Sequence, residues 1–405
     1  MKSITTGRNR FVLVAIGLTL VVLAYAGAQS SSAGQDSPGG SSGEAQKRQE
    51  AEAAVVRTGA VNEMEAALGD AFGGAWFDES APLLRIGVVS SEGRSIVEAV
   101  AARFGLASIV VPTPVRSTRP ELFTAQEELN RQLADLFANG EVGTLLQPQH
   151  NSVLVQLGSG VPAERRAELN RDVALTGVDV AIATMDRPQL GPRPEARCNE
   201  WKQHNAFCNK PIVAGVTIEA KKGCSAGPAI RATDPKLPTS TFILTAGHCI
   251  VNGGGYDEKW FAFDKSAHKT EIGKAIQYLV SEKGDVGVVT VAPGSYWSEK
   301  GSVPVEPTIA PFAAGKKEPE PFPVVGKNKP TVNMMSCRVG EASPLSCGKI
   351  TGENGTFESL KGVTVKGLIT VSGANSAVGD SGGPWFAKAQ YEEVPSKGWV
   401  DGTHV

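Results

Sequence analysis

Two short segments constrain this sequence more than any others: residues 379–384 (GDSGGP) and residues 245–249 (TAGHC). A serine oxygen that attacks a carbonyl group needs nearby backbone N–H groups aimed at the developing oxyanion. The glycines at 379, 382 and 383 lack the Cβ atoms that would obstruct so tight a backbone path. A glycine-rich loop with an incidental serine is the alternative interpretation, and the histidine segment upstream argues against it.

Ser381 is therefore the candidate nucleophile and His248 the candidate base. A serine hydroxyl is a weak nucleophile at neutral pH and needs a base within hydrogen-bond reach. His248 precedes Ser381 by 133 residues and follows the apolar residues 242–244 (FIL), which predict a buried strand that fixes its position. An α/β-hydrolase would instead carry its histidine after the serine, with a helix following the serine.

Asp285 is the candidate acid that orients the imidazole. It directly precedes residues 286–289 (VGVV), so its carboxylate enters a predicted buried strand, where a charge must be paired. Asp257 and Asp264 are rivals, but they lie among Gly, Lys and Tyr residues typical of solvated loops.

The order of these segments resembles chymotrypsin-like serine proteases of the bacterial α-lytic protease and streptogrisin type. The resemblance covers residues 211–405 and implies an all-β, double-barrel protease domain that hydrolyses peptide bonds through an acyl-enzyme. It implies an oxyanion hole formed by the backbone N–H groups of Gly379 and Ser381. Besides the two segments above, it depends on residues 212–215 (IVAG), 224–227 (CSAG), 337–340 (CRVG) and 346–348 (SCG).

The same resemblance assigns three further residues. Arg338 follows a cysteine, as in the bacterial branch of the family, which implies an Arg338–Asp380 ion pair that shapes the oxyanion loop. Asn375 stands at the position implied for the base of the primary specificity pocket. Because Asn375 is not an acid, we expect no strict preference for Arg or Lys in the substrate.

The cysteine-free part of the chain, residues 44–186, has mixed helical and strand patterns that predict an α+β domain. Residues 72–78 (FGGAWFD), a strand near Leu84, and residues 150–155 (HNSVLV) are similar to the pro-region of α-lytic-protease zymogens. The similarity implies a pro-region that assists folding of its own protease and then inhibits it. An unrelated α+β binding domain is the alternative.

The ends of this unit indicate export and processing. Basic residues, the apolar run 11–23 and the small residues 26–28 predict a signal peptide over 1–28, with an uncleaved membrane anchor as the alternative. Residues 29–43 are rich in Ser and Gly, which predicts a disordered spacer. Residues 187–210 begin with a stretch rich in proline and arginine, which predicts a processing linker.

Six cysteines, all between 198 and 347, fit an extracellular protein with disulfides. Fifteen connectivities are possible, of which we favour nearest-neighbour pairing. The predicted pairs are Cys198–Cys208, Cys224–Cys249 and Cys337–Cys347. A zinc site using His204 or His248 is the alternative, but no CxxC pair accompanies these residues. We predict no metal and no cofactor.

The sequence thus predicts a multidomain, secreted serine endopeptidase precursor whose partners are protein or peptide substrates and its own pro-region. A net charge of −2 gives no reason to expect nucleic acid, and no membrane association is expected after signal cleavage. Because 24 residues follow Ser381, we expect C-terminal strands of the implied barrel to be missing, a truncation that leaves activity open. A non-catalytic protease homologue that binds proteins is the alternative function.

Overall fold

The structure is a computed structural model, and the residues it describes are 42–173, 176–185, 212–231, 241–263, 268–293, 295–297, 308–309, 322–327, 329–343, 345–360, 363–374, 376–391 and 394–403. Several predictions lie outside these residues: the signal peptide 1–28, most of the spacer 29–43, the linker 187–210, Asp264, Asn375 and the cysteines at 198 and 208. None of the described helices is both long and apolar enough to cross a membrane.

Residues 42–185, called the N-terminal unit from here on, mix helices with strands. The helices are α1 (Ser42–Thr58), α2 (Ala60–Leu68), α3 (Ser91–Arg103), α4 (Arg119–Gln132), α5 (Ala134–Ala138) and α6 (Ala163–Asp172). The strands are β1 (Phe72–Phe77), β2 (Leu84–Val88), β3 (Val110–Pro114), β4 (Val142–Gln147), β5 (Ser152–Leu157) and β6 (Asp179–Thr184). Strands β1, β2 and β3 form a three-stranded sheet in that order.

Among the described residues between 212 and 403, called the C-terminal unit from here on, the regular structure is almost entirely β-strand. The strands are β7 (Thr217–Glu219), β8 (Gly223–Ser225), β9 (Ala229–Arg231), β10 (Thr241–Thr245), β11 (Lys259–Phe263), β12 (Lys269–Ser281), β13 (Gly284–Val291), β14 (Thr308–Ile309), β15 (Phe322–Lys327), β16 (Met335–Arg338), β17 (Ser346–Leu360), β18 (Val363–Ser372), β19 (Pro384–Tyr391) and β20 (Val394–Thr403). One short helix, α7 (Gly247–Gly253), follows β10.

Two sheets organise the C-terminal unit. The first has seven strands in the order β8-β7-β11-β12-β13-β10-β9 and encloses an apolar core that includes Ile243, Trp260 and Val289. The second runs β14-β15-β20-β19-β16-β17 and continues into β4-β5-β6, with β18 paired to β17. The second sheet therefore contains strands from both units.

The two units also share one hydrophobic core. Side chains of α1, α2, α3 and β1 to β3 pack in the same cluster as Val332, Met334, Ile350 and Ala387 of the C-terminal unit. These four residues are 1% to 7% exposed. The N-terminal unit thus buries apolar surface of the C-terminal unit, which contributes roughly 25 cal/mol for each Å² removed from water.

Polar contacts complete the junction at β17. Gln126 of α4 donates from its amide to the carbonyl oxygen of Asn354 at 2.7 Å, and the amide of Asn354 donates back to Gln126 Oε1 at 2.8 Å. Arg119 forms ion pairs with Glu353 at 2.9 Å and with Glu65 at 3.3 Å. Asn354 is also the first residue of an Asn-Gly-Thr sequon. It lies within β17, and its side chain is hydrogen-bonded to the N-terminal unit.

Replacing Ile350 by alanine tests the shared core. Ile350 is 1% exposed, and its backbone N–H donates to the carbonyl oxygen of Met334 at 2.9 Å. Removing a buried isoleucine side chain leaves a cavity and costs about 2–5 kcal/mol. We expect Ile350→Ala to lower the free energy of unfolding of the full chain by that amount in chemical denaturation. Ile369→Ala on β18, where the side chain is 37% exposed, is the control and should change it little; equal effects would contradict the shared core.

Candidate active site

His248 lies at the start of α7, directly after β10. Strand β10 pairs with β13, where Leu244 opposes Val288 and Thr245 opposes Gly287. Asp285 lies at the start of β13, so this pairing brings the aspartate towards His248. Gly247 fits the approach, because a Cβ atom at that position would lie 2.9 Å from Asp285 Oδ1.

Asp285 contacts His248 through both carboxylate oxygens. The backbone N–H of His248 donates to Oδ1 at 2.8 Å, and His248 Nδ1 lies 2.7 Å from Oδ2. The Asp285 side chain is 0% exposed, whereas the His248 side chain is 15% exposed. A carboxylate at Nδ1 favours the tautomer that carries its proton there, which makes Nε2 the basic nitrogen. The rival Asp257 is exposed, and its backbone has a φ of 61°.

Ser381 lies in the loop before β19, beside the histidine segment. Its carbonyl oxygen accepts a hydrogen bond from the backbone N–H of Ser225 at 2.8 Å. The same oxygen lies 3.8 Å from Sγ of Cys249, the residue after His248. Residues far apart in sequence, in β8, α7 and the serine loop, therefore meet at one place.

The serine loop needs glycine at two positions. Gly379 and Gly382 have φ angles of 108° and 89°, a region that side-chain-bearing residues rarely adopt. A Cβ atom on Gly382 would also collide with the hydroxyl of Thr245 and the carbonyl oxygen of Ser225. The loop packs directly against the end of β10 because this Cβ atom is missing.

Asp380 points away from solvent into a buried ion pair. Arg338 Nη1 lies 2.8 Å from Asp380 Oδ2, and the two side chains are 1% and 0% exposed. Asp380 Oδ1 also accepts from the backbone N–H groups of Ala342 at 3.0 Å and Ser343 at 2.9 Å. Burial acts to raise the pKa of Asp380, but the Arg338 charge and the hydrogen bonds outweigh it, so the pKa lies below the usual value. Burial lowers the pKa of Arg338.

Two of the three predicted disulfides are present, Cys224–Cys249 and Cys337–Cys347. The first joins β8 to α7 and the second joins β16 to β17. The cysteines at 224 and 249 and His248 offer ligand atoms that all lie within 4.8 Å of one another. Cysteine binds zinc as a thiolate, and both sulfur atoms here are committed to a disulfide. This cluster therefore does not supply the thiolate ligands of the zinc alternative.

Ser225 is the residue of this site to which the sequence alone assigned no role. It was part of the segment 224–227 that carried the family resemblance. Its partners in the serine loop lie more than 150 positions away, with Gly379 at a separation of 154 residues. No local pattern in the sequence indicates such a contact.

Comparison with known proteins gives matches to solved structures alone. No family model matches the chain, and no curated protein matches it in sequence. Among solved structures, the chain is similar to Thermobifida fusca Protease A, with 23% identity and a TM-score of 0.33, over 44% of this chain and 79% of that one. It is also similar to Nocardiopsis protease, with 20% identity and a TM-score of 0.34, over 44% of this chain and 80% of that one. TM-scores of this size do not establish a shared fold.

Proposed function

We propose that this chain is the precursor of a secreted serine endopeptidase with a chymotrypsin-like, double-barrel protease domain. The observation that carries the proposal is the contact of His248 with both oxygens of the buried Asp285, beside the loop that contains Ser381. A buried carboxylate that holds an imidazole by its Nδ1 atom is the arrangement that lets the other nitrogen act as a general base.

Each residue has a role in peptide hydrolysis. Ser381 Oγ attacks the carbonyl carbon of the scissile bond while His248 Nε2 accepts the hydroxyl proton. Asp285 orients the ring and stabilises the imidazolium that forms. The backbone N–H groups of Gly379 and Ser381 donate to the oxyanion of the tetrahedral intermediate. His248 then gives the proton to the leaving amine as the peptide bond breaks. A water molecule next attacks the acyl carbon while His248 Nε2 accepts its proton, and His248 returns that proton to Ser381 Oγ as the ester bond breaks and the acid product leaves.

The N-terminal unit is proposed as the pro-region of this protease. Its support is the shared hydrophobic core and the pairing of β4 with β17, because a unit that covers apolar surface of its partner can promote folding of that partner. In this proposal residues 44–186 assist folding and inhibit the enzyme, and the linker 187–210 is cut during processing. Protein or peptide chains are the substrates, with Asn375 at the base of the primary pocket.

The arrangement around Ser381 argues against an esterase of the α/β-hydrolase type. Such enzymes place the nucleophile on a turn between a strand and a helix. Here the element after Ser381 is the strand β19, and the proposed base precedes the serine in the chain.

Labelling with a fluorophosphonate tests the proposal against the non-catalytic alternative. The reagent is added to the full chain, before and after cleavage in the linker, and the modified residue is identified by mass spectrometry. We expect modification at Ser381, none in Ser381→Ala, and unchanged modification in Ser372→Ala, which alters an exposed serine of β18. Folded protein that takes no label at Ser381 in either form would establish the non-catalytic homologue instead.

A further inference from the structure

Ser225 is buried at the junction of three segments of the candidate site. Its side chain is fully buried, with an exposure of 0%. It is the last residue of β8 and follows Cys224, which is bonded to Cys249 in α7. From this position its backbone and hydroxyl reach the serine loop, the end of β10 and the segment after β16.

All polar groups of Ser225 are hydrogen-bonded. Its hydroxyl donates to the carbonyl oxygen of Gly379 at 2.8 Å and accepts from the backbone N–H of Glu341 at 2.7 Å. Its backbone N–H donates to the carbonyl oxygen of Ser381 at 2.8 Å. Its own carbonyl oxygen accepts from the hydroxyl of Thr245 at 3.0 Å.

Two of these bonds hold the peptide planes on either side of one oxyanion donor. The carbonyl of Gly379 belongs to the 379–380 peptide, and the carbonyl of Ser381 belongs to the 381–382 peptide. The N–H of Ser381 belongs to the 380–381 peptide between them. Fixing the outer two planes restricts rotation of the middle plane, because a peptide bond is rigid and only φ and ψ can vary. Ser225 thereby restrains the direction of the Ser381 N–H from both sides, in addition to the Gly383 N–H, which donates to the Asp380 carbonyl oxygen of the middle peptide at 3.0 Å.

The hydroxyl of Ser225 supplies the bond that holds the carbonyl end of the 379–380 peptide. Gly379 lacks a Cβ atom and has an unusual φ of 108°, so its own conformational preference restrains the loop little. The carbonyl of this buried residue requires a donor. Without the hydroxyl the 379–380 peptide would keep only the bond from its Asp380 N–H to the carbonyl oxygen of Ala377, at 3.2 Å. A plane held at one end can tilt, and this tilt would turn the Ser381 N–H away from the oxyanion.

We infer that Ser225 is a positioning residue for the oxyanion hole, acting through its hydrogen bonds to Gly379 and Ser381. The inference rests on the proposed function for its catalytic consequence. The structural part, an oxyanion loop held by the Ser225 hydroxyl, stands independently of catalysis.

Hydrogen exchange and kinetics on the full chain test it together. In Ser225→Ala we expect the amides of 379–382 to exchange at least about 10-fold faster while those of β10 and β13 keep their rates. We expect kcat for a peptide substrate to fall about 10- to 100-fold, less than complete loss of an oxyanion donor. KM should change less than about 3-fold, because the donor acts on the transition state. The pH midpoint of kcat should not move, since the His248–Asp285 contact is untouched.

Two further variants keep the test decisive. Thr241→Val removes a buried hydroxyl at the other end of β10 and should reproduce none of these changes. Thr245→Val removes the bond to the Ser225 carbonyl with almost no change in side-chain volume, and it replaces Ser225→Ala if that variant does not fold. In Thr245→Val we expect the amides of 379–382 to exchange faster than in the wild type, by less than the change predicted for Ser225→Ala.

The outcomes separate this inference from the proposed function. Unchanged loop exchange in Ser225→Ala, or faster exchange spread over the whole sheet, would overturn it. Faster loop exchange with kcat equal to that of Thr241→Val would overturn its catalytic part. If the wild-type chain hydrolyses nothing and takes no label at Ser381, the proposed function fails, while localised loop exchange would still establish Ser225 as the residue that holds the loop.

Discussion

Asp285→Asn is expected to lower kcat about 10⁴-fold with little change in KM, the size of effect known for serine proteases with this triad. Both oxygens of Asp285 accept from His248, one from the backbone N–H and one at Nδ1. An amide in place of the carboxylate offers one N–H₂ group and no negative charge, so it favours the wrong tautomer and does not stabilise the imidazolium. Steady-state kinetics on a peptide substrate, with active sites counted by fluorophosphonate titration, measure the change.

The matched control is Asp257→Asn. Asp257 is the exposed rival that follows α7, and its replacement should leave kcat unchanged. Loss of activity in Asp257→Asn together with retained activity in Asp285→Asn would show that our proposal names the wrong carboxylate as the orienting acid. Unfolding curves of both variants show whether any loss of kcat comes from loss of structure.

Arg338→Ala is expected to destabilise the full chain by about 3–5 kcal/mol, the usual cost of leaving a buried charge without its partner. Asp380 would keep its hydrogen bonds from Ala342, Ser343 and Ala377 but lose the nearby positive charge. The loop that carries Gly379 and Ser381 is anchored by this carboxylate, so kcat should fall as well. Chemical denaturation measures the loss of stability, and steady-state kinetics on one peptide substrate measure the fall in kcat.

The effect of Arg338→Ala should depend on pH in one direction. The pKa of Asp380 in the folded protein lies below its usual value of about 4, so the ionised carboxylate contributes stability that is fully present above that value. This stability is lost as the pH falls through the folded pKa. The difference between wild type and variant should therefore be largest above about pH 5 and shrink below about pH 4. A difference that stays constant across this range would contradict the ion pair as its cause.

An exposed ion pair provides the comparison. Arg103 and Glu63 lie 2.8 Å apart with side chains 59% and 54% exposed. Solvent screens such a pair, so Arg103→Ala should leave the unfolding curve almost unchanged at every pH. An equally large loss of stability in Arg103→Ala would mean that burial is not what makes Arg338 important.

Local sequence patterns predicted many elements well. The apolar pattern of residues 152–157 predicts a strand, and β5 lies there. The helical spacing of apolar residues over 94–104 predicts a helix, and α3 covers most of that range with an earlier start at Ser91. Two strands of the N-terminal unit were not predicted. Residues 72–77 form β1, fully buried although two of its six residues are glycines, and residues 142–147 form β4. The leucine spacing over 121–137 predicts one amphipathic helix, and this prediction is wrong as a single element, because the helix is interrupted at Leu133 between α4 and α5.

For the candidate site, the sequence identified the residues but not the distances between them. His248, Asp285, Ser381, Arg338 and Asp380 were all named from sequence order and family resemblance, because each occurs in a short segment of characteristic composition. Their distances were not available from that order. The contact of Asp285 with His248 requires β10 and β13 to pair in one particular register.

The sequence by itself determined which residues carry reactive groups and which stretches alternate or repeat with the period of a strand or helix. These are properties of windows of a few residues, which local conformational preference and hydrophobic pattern can specify. Only the tertiary structure decided that the N-terminal unit and the C-terminal unit share a core and a sheet. It alone placed Ser225 between Gly379 and Ser381, because contacts across more than 150 residues depend on how the sheets pack, and no short window records that packing.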